Sequence, residues 1–438
     1  MTASPLIVRA PGSLIELREH VQGNVEVNQA FSPEPLPEDT AERTFRWLTT
    51  LPGFREEQVR GAYRAGRQLG GYRIYERQLC IGAARLLTGC IGSVYTRAAF
   101  RNQGVATALM LDALQYARDH DYALLLLDGI PKFYHRFGYS DIYDLTTQEL
   151  DRRAILALPS SPYIVRQPTL DDAPGLLALY RRQFGRYSGS FAHSLEQQAH
   201  WLQYRDPQSL LLAVDAAQQV YGYLYLKGEQ ARGPFYLAGA QLWELAADDW
   251  PATIALLQHH VRLVEGQRDS GPVLYSMPPA SPPARWLAQH LEVQDISNWD
   301  FPTLGWSVRE QTFRHRDAAW MACVVSLPAL IRAMLPEWQT RWRRSLARWS
   351  GEFSLLVGEE TFTLCLNGTD LELLDVPPGR SAHTLSLTPQ AFVQALFGYS
   401  PLVDVLRESG QELSNELESV LTILFPAGQA WIPAVDWF

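Results

Sequence analysis

Apolar residues fall into two rhythms along this chain. Val105, Leu109, Ala113 and Tyr116 recur at helical spacing, directly after a turn that carries Arg101, Gln103, Gly104 and Ala106. The five residues from Gly92 to Thr96 read as a strand, so this stretch is strand, turn and helix in succession. Upstream, residues 13–31 predict a helix with Leu14, Leu17 and Val21 on one face, followed by a Pro-rich acidic loop over residues 32–39. Residues 62–75, with Gly66, Gly70 and Gly71 among apolar positions, predict two strands and a turn, and strand character continues over 80–87. Residues 122–127 form an apolar run suited to a buried strand.

A Leu-Pro-Ser-Ser-Pro linker at 158–162 opens a second unit. There a strand from Tyr163 leads through Asp171 and Asp172 into a helix carrying Leu176, Leu179 and Tyr180. Strands are predicted at 210–214, 221–226 and 236–244, then a helix at 251–264, which repeats the order of the first unit. A second boundary is predicted at 299–315, which contains Pro302 and Gly305. Beyond it, 320–330 reads as a strand running into a helix, and 351–374 alternates like antiparallel strands. Residues 390–397 predict a helix; 420–425 fit a strand or a short helix.

With 438 residues, the chain exceeds one ordinary core, and three units are expected: 1–158, 159–304 and 305–438. An apolar content of 47% with 19% charged residues is that of a folded protein, not a disordered one. The formal charge of -9 argues against a nucleic-acid partner and favours cationic ones. Cys80, Cys90, Cys323 and Cys365 have no C-x-x-C spacing, so free thiols in a reducing compartment are expected. No signal-peptide pattern and no membrane-length apolar run is visible, which points to a cytoplasmic protein without a membrane partner. His259 and His260 are adjacent on a predicted helix, but no His/Cys cluster or H-E-x-x-H pattern exists, and no metal is expected.

The chemistry gathers at Gly104. A glycine at a helix start lets main chain approach a ligand closely, and the unpaired N–H groups of the first helical turn favour an anionic diphosphate. The spacing matches neither G-x-G-x-x-G nor G-x-x-x-x-G-K, which disfavours a dinucleotide fold or a P-loop. In an open sheet, ligands enter where strand carboxyl ends splay, here between the strands ending near Thr96 and Asp128. The second unit has Ala246-Ala-Asp-Asp-Trp250 in the corresponding place, where two carboxylates would repel a diphosphate.

The R-x-Q-G-x-A segment resembles the acetyl-CoA signature of the GNAT superfamily of N-acetyltransferases, R/Q-x-x-G-x-G/A. About thirty residues later, Phe133-Tyr-His-Arg-Phe-Gly-Tyr139 looks like the Y-x-R-F-G-Y of the enhanced-intracellular-survival (Eis) type aminoglycoside acetyltransferases. The resemblance implies a mixed α+β fold with tandem GNAT-like domains, the second degenerate, followed by a sterol-carrier-protein-like domain, assembled as a hexamer. It implies acetyl-CoA as co-substrate. Val94 and Thr96 would hold the pantetheine arm as a pseudo-strand, with an oxyanion donor near Val94. Arg101, Asn102, Gln103, Gly104, Val105 and Ala106 would hold the diphosphate. Tyr95, Thr107, Gly129 and Ile130 complete the cofactor set. Asn102 stands where more basic relatives have a second arginine, which predicts a weaker grip.

Amide formation from a thioester needs a deprotonated amine, oxyanion donors and a proton for the thiolate. By resemblance Tyr134 is the general acid and the carboxylate of the terminal Phe438 the general base. The adjacent His135 is the rival acid, although neighbouring side chains point apart, and Tyr139 suits a packing role. A phenol with a pKa of about 10 can protonate a thiolate whose thiol has one of roughly 8–9. Asp436 would add negative charge to the same pocket, and Glu34 and Glu38 are candidates for its rim. The acceptor implied is a small cationic amine: an aminoglycoside, another polyamine or a protein lysine. The alternative is a non-catalytic acyl-CoA or lipid-binding protein, against which Tyr134 and Phe438 argue.

Overall fold

The computed structural model describes residues 4–29, 35–130, 132–206, 209–226, 243–264, 273–291, 308–313, 319–374, 383–428 and 430–437. Its first part contains β1 (Ile7–Arg9), α1 (Leu14–Gln29), α2 (Thr40–Thr49), β2 (Val59–Arg64), β3 (Arg67–Ile81), β4 (Ala84–Thr96), α3 (Val105–Asp119), β5 (Leu124–Gly129), β6 (Ser140–Asp141), β7 (Leu145–Leu150) and α4 (Arg152–Leu156). The next part contains β8 (Ile164–Arg166), α5 (Ala173–Phe184), α6 (Leu195–Tyr204), β9 (Leu210–Val214), β10 (Val220–Leu226), β11 (Trp243–Ala247), α7 (Trp250–Val264), β12 (Val273–Ser276) and α8 (Pro282–His290). The last part contains β13 (Val308–Phe313), β14 (Ala319–Val324), α9 (Leu327–Arg344), β15 (Gly351–Val357), β16 (Glu360–Asn367), β17 (Asp370–Leu374), β18 (Thr384–Leu387), α10 (Pro389–Phe397), α11 (Leu402–Glu408) and α12 (Asn415–Leu424).

Three mixed sheets organise these elements. The first runs β1-β2-β3-β4-β5-β14-β6, and its β4–β5 pair is parallel. The second runs β13-β7-β12-β11-β10-β9-β8 and has its own parallel pair, β11–β12. Each places one strand, two helices and three antiparallel strands before the helix that crosses to the parallel partner, so the element order of the first is repeated in the second. The third sheet, β17-β16-β15-β18, is backed by α9–α12. Between sheet and helices the rings of Trp338, Phe362, Phe392 and Phe425 pack with centroids 5.5–6.2 Å apart, Trp338 stacked on Phe362 and the other pairs tilted or edge-on.

Strands trade places across positions 158 and 304. β7 leaves the first part to pair with β12 and β13 in the second sheet. β14 returns from the last part to lie between β5 and β6 in the first sheet. The segment predicted as a boundary at 299–315 therefore contains a paired strand, Val308–Phe313; residues 299–307 and 314–315 lie outside the described residues, as do 236–242 of the strand predicted at 236–244. The ambiguous 420–425 is resolved as helix. Its apolar residues Val420, Leu421 and Leu424 share one face with Leu417, which the shorter window missed.

Candidate active site

β4 and β5 stay paired only from Thr88↔Leu124 to Ile91↔Leu127, then part. The cause lies one residue on. The β3–β4 register shifts between Gly71↔Tyr95 and Arg73↔Gly92, so β4 carries an extra residue, with Ser93 in the left-handed region at φ 53°. Arg73 donates from Nε and Nη2 to Ser93 Oγ at 3.2 and 2.7 Å and holds this bulge. Beyond it, the Arg97 N–H bonds back to the Leu69 carbonyl. By alternation along the strand, the main-chain groups of Tyr95 face β3, and those of Val94 and Thr96 face the gap. The Tyr95 side chain is buried against His20 of α1.

At the mouth of the gap stands the start of α3. Asn102 and Gly104 both adopt positive φ, 60° and 79°, and a Cβ on Gly104 would meet nothing within 4 Å. Glycine is needed there for its backbone angle, not for space. No side chain caps the helix, and its first turn closes with Ala108 N–H to the Gly104 carbonyl, leaving the N–H groups of Val105, Ala106 and Thr107 free to meet an anion. Val105 buries its side chain in the core and anchors the turn. Arg101, Asn102 and Gln103 are exposed around it. Gln103 Oε1 accepts from Arg64 Nη1 at 3.1 Å. The helix is pinned to the sheet by Asp112, which pairs with Arg60 at 2.8 and 2.9 Å and accepts from Tyr72 Oη at 2.7 Å.

The Phe133–Tyr139 stretch is a single 3-10 turn closed by Gly138, leading into β6. Tyr134 lies at the end of β5. A Cβ on Gly129 would stand 2.8 Å from its ring, so that glycine is what lets the ring settle there. The Tyr134 phenol is pushed up to about 12 by burial, with Asp128 adding to it, and stays protonated at neutral pH. His135 turns toward Asp141, 3.7 Å away. Tyr139 is fully buried and packs edge-on against Tyr134. Ile130 is exposed at the gap's edge. Arg136, which the sequence reading passed over, lies over the rings of Phe133 and Phe137 and donates to Thr107 Oγ1 at 3.2 Å, tying this turn to the start of α3. Its signal was a cation between two aromatic residues.

A cavity of about 310 Å³ opens on the other side of the bulge, with Arg73 in its wall. Its walls come from β3, the stretch after α2, α5, α6 and the carboxyl-terminal tail, including Trp47, Tyr75, Arg77, His193, Trp201 and Asp436. The tail is led there by hydrogen bonds. Residues 189–192 run along β3 through Cys80 N–H to the Ser190 carbonyl, and Trp431 N–H donates to the Ser188 carbonyl. Glu244, buried in β11, accepts from the Ala434 N–H and from Tyr223 Oη. Asp436 accepts from Tyr180 Oη, lies 2.6 Å from His193 Nε2 and 3.8 Å from Arg77. Asp436 and Glu76 line this cavity, but Arg73 and Arg77 share its wall, and Asp436 is paired with His193. Phe438 and Glu34 lie outside the described residues, and Glu38 is exposed.

Residues 19–142 match the family model described as Acetyltransferase (GNAT) domain. That stretch holds the bulge, the splayed strands, the open start of α3 and Tyr134. Residues 19–142 thus carry the pattern of a GNAT acetyltransferase domain. Solved structures share its fold over the full length. A GCN5-related N-acetyltransferase from Anabaena variabilis ATCC 29413 is 15% identical, covers 99% of this chain and 100% of its own, and has a TM-score of 0.67. One from Kribbella flavida is 17% identical over 100% and 99%, with a TM-score of 0.66. Eis1 from Mycobacterium abscessus is 15% identical over 99% and 100%, with a TM-score of 0.58. At such identities the likeness speaks for the fold. No curated protein matches the chain.

Against the GNAT domain's open helix start, the equivalent α7 is closed. Asp249 Oδ1 accepts from the Ala252 N–H at 2.7 Å and Oδ2 from Tyr163 Oη at 2.6 Å, while Asp248 pairs with Arg182. A carboxylate already occupies the place where the GNAT domain offers its N–H groups.

Proposed function

We propose that the protein moves the acetyl group of acetyl-CoA to a primary amine. The observation that carries this reading is the meeting of three features: a gap between β4 and β5, an uncapped α3 start at its mouth, and the buried Tyr134 phenol beside the end of β5. The diphosphate would lie on the N–H groups of Val105, Ala106 and Thr107, flanked by Arg101, Arg64 and Arg136. The pantetheine arm would pair with Val94 and Thr96 and pass Gly129. The amine nitrogen attacks the thioester carbonyl and loses its proton to the base. The carbon–sulfur bond then breaks, and the thiolate takes the Tyr134 proton. The base in this reading is the Phe438 carboxylate, supported by the anchoring of the tail through Asp436 beside the cavity.

On the resemblance to the Eis type we further propose three units divided at 158 and 304. The second lacks cofactor, for which the filled start of α7 is the support, and the third is sterol-carrier-like. A cytoplasmic hexamer and an aminoglycoside or polyamine acceptor rest on the resemblance alone. The test is thiol release from acetyl-CoA with tobramycin, kanamycin and a panel of simple amines. Loss of turnover in Tyr134→Phe, and on adding one residue after Phe438, is the expected result; unchanged turnover in both removes the assigned acid and base.

A further inference from the structure

The cavity beside the bulge is short of negative charge. Its acidic groups are engaged: Glu76 pairs with Arg55 at 2.7 Å and accepts from Tyr122 Oη at 2.9 Å, and Asp436 is held by Tyr180, His193 and Arg77. Arg73 is different. It is only 5% exposed, and it lies between the rings of Trp47 and Tyr75, 5.5 and 5.4 Å from their centroids. Two of its nitrogens are directed at one neutral hydroxyl, Ser93 Oγ, and Nη1 has no partner. No carboxylate faces it among the described residues. A buried guanidinium without a counter-charge is costly.

A second donor points the same way. Gln58, in the turn before β2, is 6% exposed and lines the same cavity. Its Oε1 receives the Arg55 N–H at 3.3 Å, while Nε2 has no partner. Arg73 and Gln58, on separate elements, thus both line one cavity, and each keeps an unpartnered donor beneath its surface. Ser93, which Arg73 grips, immediately precedes Val94, whose main chain faces the cofactor gap.

We infer that the acceptor is an amine that also carries a carboxylate, bound by Arg73 with help from Gln58. The planar guanidinium matches a carboxylate, and the apolar body of an amino acid suits aromatic walls enclosing about 310 Å³. An all-cationic polyamine would leave Arg73 uncompensated and add like charge. The inference rests on the acetyl-transfer reading and replaces the aminoglycoside or polyamine acceptor, which the resemblance alone suggested, with a carboxylated amine.

The test uses the full-length protein and matched amines: tryptophan with tryptamine, phenylalanine with phenethylamine, and lysine with cadaverine. Thiol release from acetyl-CoA gives kcat/KM for each, and the carboxylated member of at least one pair should lead by about 10-fold or more. Arg73→Gln should bring that ratio near one by raising KM for the carboxylated member of each pair. Because Arg73 also holds the Ser93 bulge, any change in KM for acetyl-CoA falls on both members alike and leaves the ratio untouched. Arg73→Lys should keep part of the ratio. A melt by circular dichroism establishes that each variant is folded. Equal rates within all pairs, a lead for the decarboxylated members, or a loss confined to KM for acetyl-CoA overturns the inference while acetyl transfer stands. If no amine releases thiol, the transfer reading fails and binding decides. A thermal shift with N-acetyltryptophan, absent with N-acetyltryptamine and abolished in Arg73→Gln, upholds the carboxylate site; no such shift ends it.

Discussion

Tyr134 shows how one side chain's surroundings set its chemistry. Burial keeps the phenol neutral, so in the proposed reaction its proton would be present when the thiolate leaves. Tyr134→Phe should lower kcat/KM by about 100-fold or more while acetyl-CoA binds as before, measured by thiol release and calorimetry. With the phenol pushed up to about 12, the pH–rate profile should show no falling limb from this group below pH 10. A limb near pH 8 that persists in the variant would belong to another residue. Gly104 carries a different constraint. A Cβ there touches nothing, yet φ of 79° opposes one. Gly104→Ala should therefore cost about 1 kcal/mol through backbone strain alone, and acetyl-CoA affinity should fall as the loop turns its N–H groups away. A thermal melt and a calorimetric titration separate the two effects.

At the scale of elements, the tail matters through its fastening to β11. Burial, with Asp436 adding to it, pushes the Glu244 carboxyl up to about 7, against hydrogen bonds from Tyr223 and Ala434 that favour its ionised form. The folded protein thus keeps a proton that the unfolded chain releases near pH 4.5. Its contribution to stability is fully present below that pH and is lost as pH rises through about 7. Tm should fall between pH 5 and 8 by about 3–5 °C more in the wild type than in Glu244→Gln; parallel curves would mean that Glu244 titrates normally. How much of this was legible in the sequence follows from what each signal encodes. Helical periodicity marked α3 and α5, and apolar runs marked β5 and β9, because burial of one face leaves its period in the chain. The bulge at Ser93 left no mark, since Arg73 supplies its support from another strand. Arg73 was one of several charges in its strand, beside Arg67, Glu76 and Arg77, and its lack of a counter-ion depends on five separate segments meeting. Strand character at 320–324 was readable; its partner was not, because alternation specifies a buried face and not a neighbour.

The molecule as a whole is tied together by exchanged strands. β14 pairs along its whole length with β5, from Ala319↔Gly129 to Val324↔Leu124, and on its other side with β6. Its buried Met321 would lie 3.1 Å from a Cβ on Gly129, beside Tyr134. α9 follows directly, and Glu337 accepts from the Ala83 N–H in the turn between β3 and β4. The last third of the chain is therefore part of the scaffold that holds β5 and Tyr134, although it contributes none of residues 101–107. A chain cut after residue 304 loses β14 and α9 together, leaving β5 with an unpaired, apolar edge where Leu124, Leu125, Leu126 and Leu127 are all buried in the intact protein. It should aggregate or fail to bind acetyl-CoA. A subtler break leaves the chain whole: Ala322→Pro removes an N–H at the position paired with both Leu126 and Ser140, in a strand flanked on both sides. That change should cost about 3 kcal/mol or more and abolish acetyl-CoA binding, although residue 322 touches no ligand. Full affinity for acetyl-CoA in the protein cut after 304 would mean that the GNAT domain closes its sheet without the borrowed strand. The last third would then have no coupling to acetyl-CoA binding.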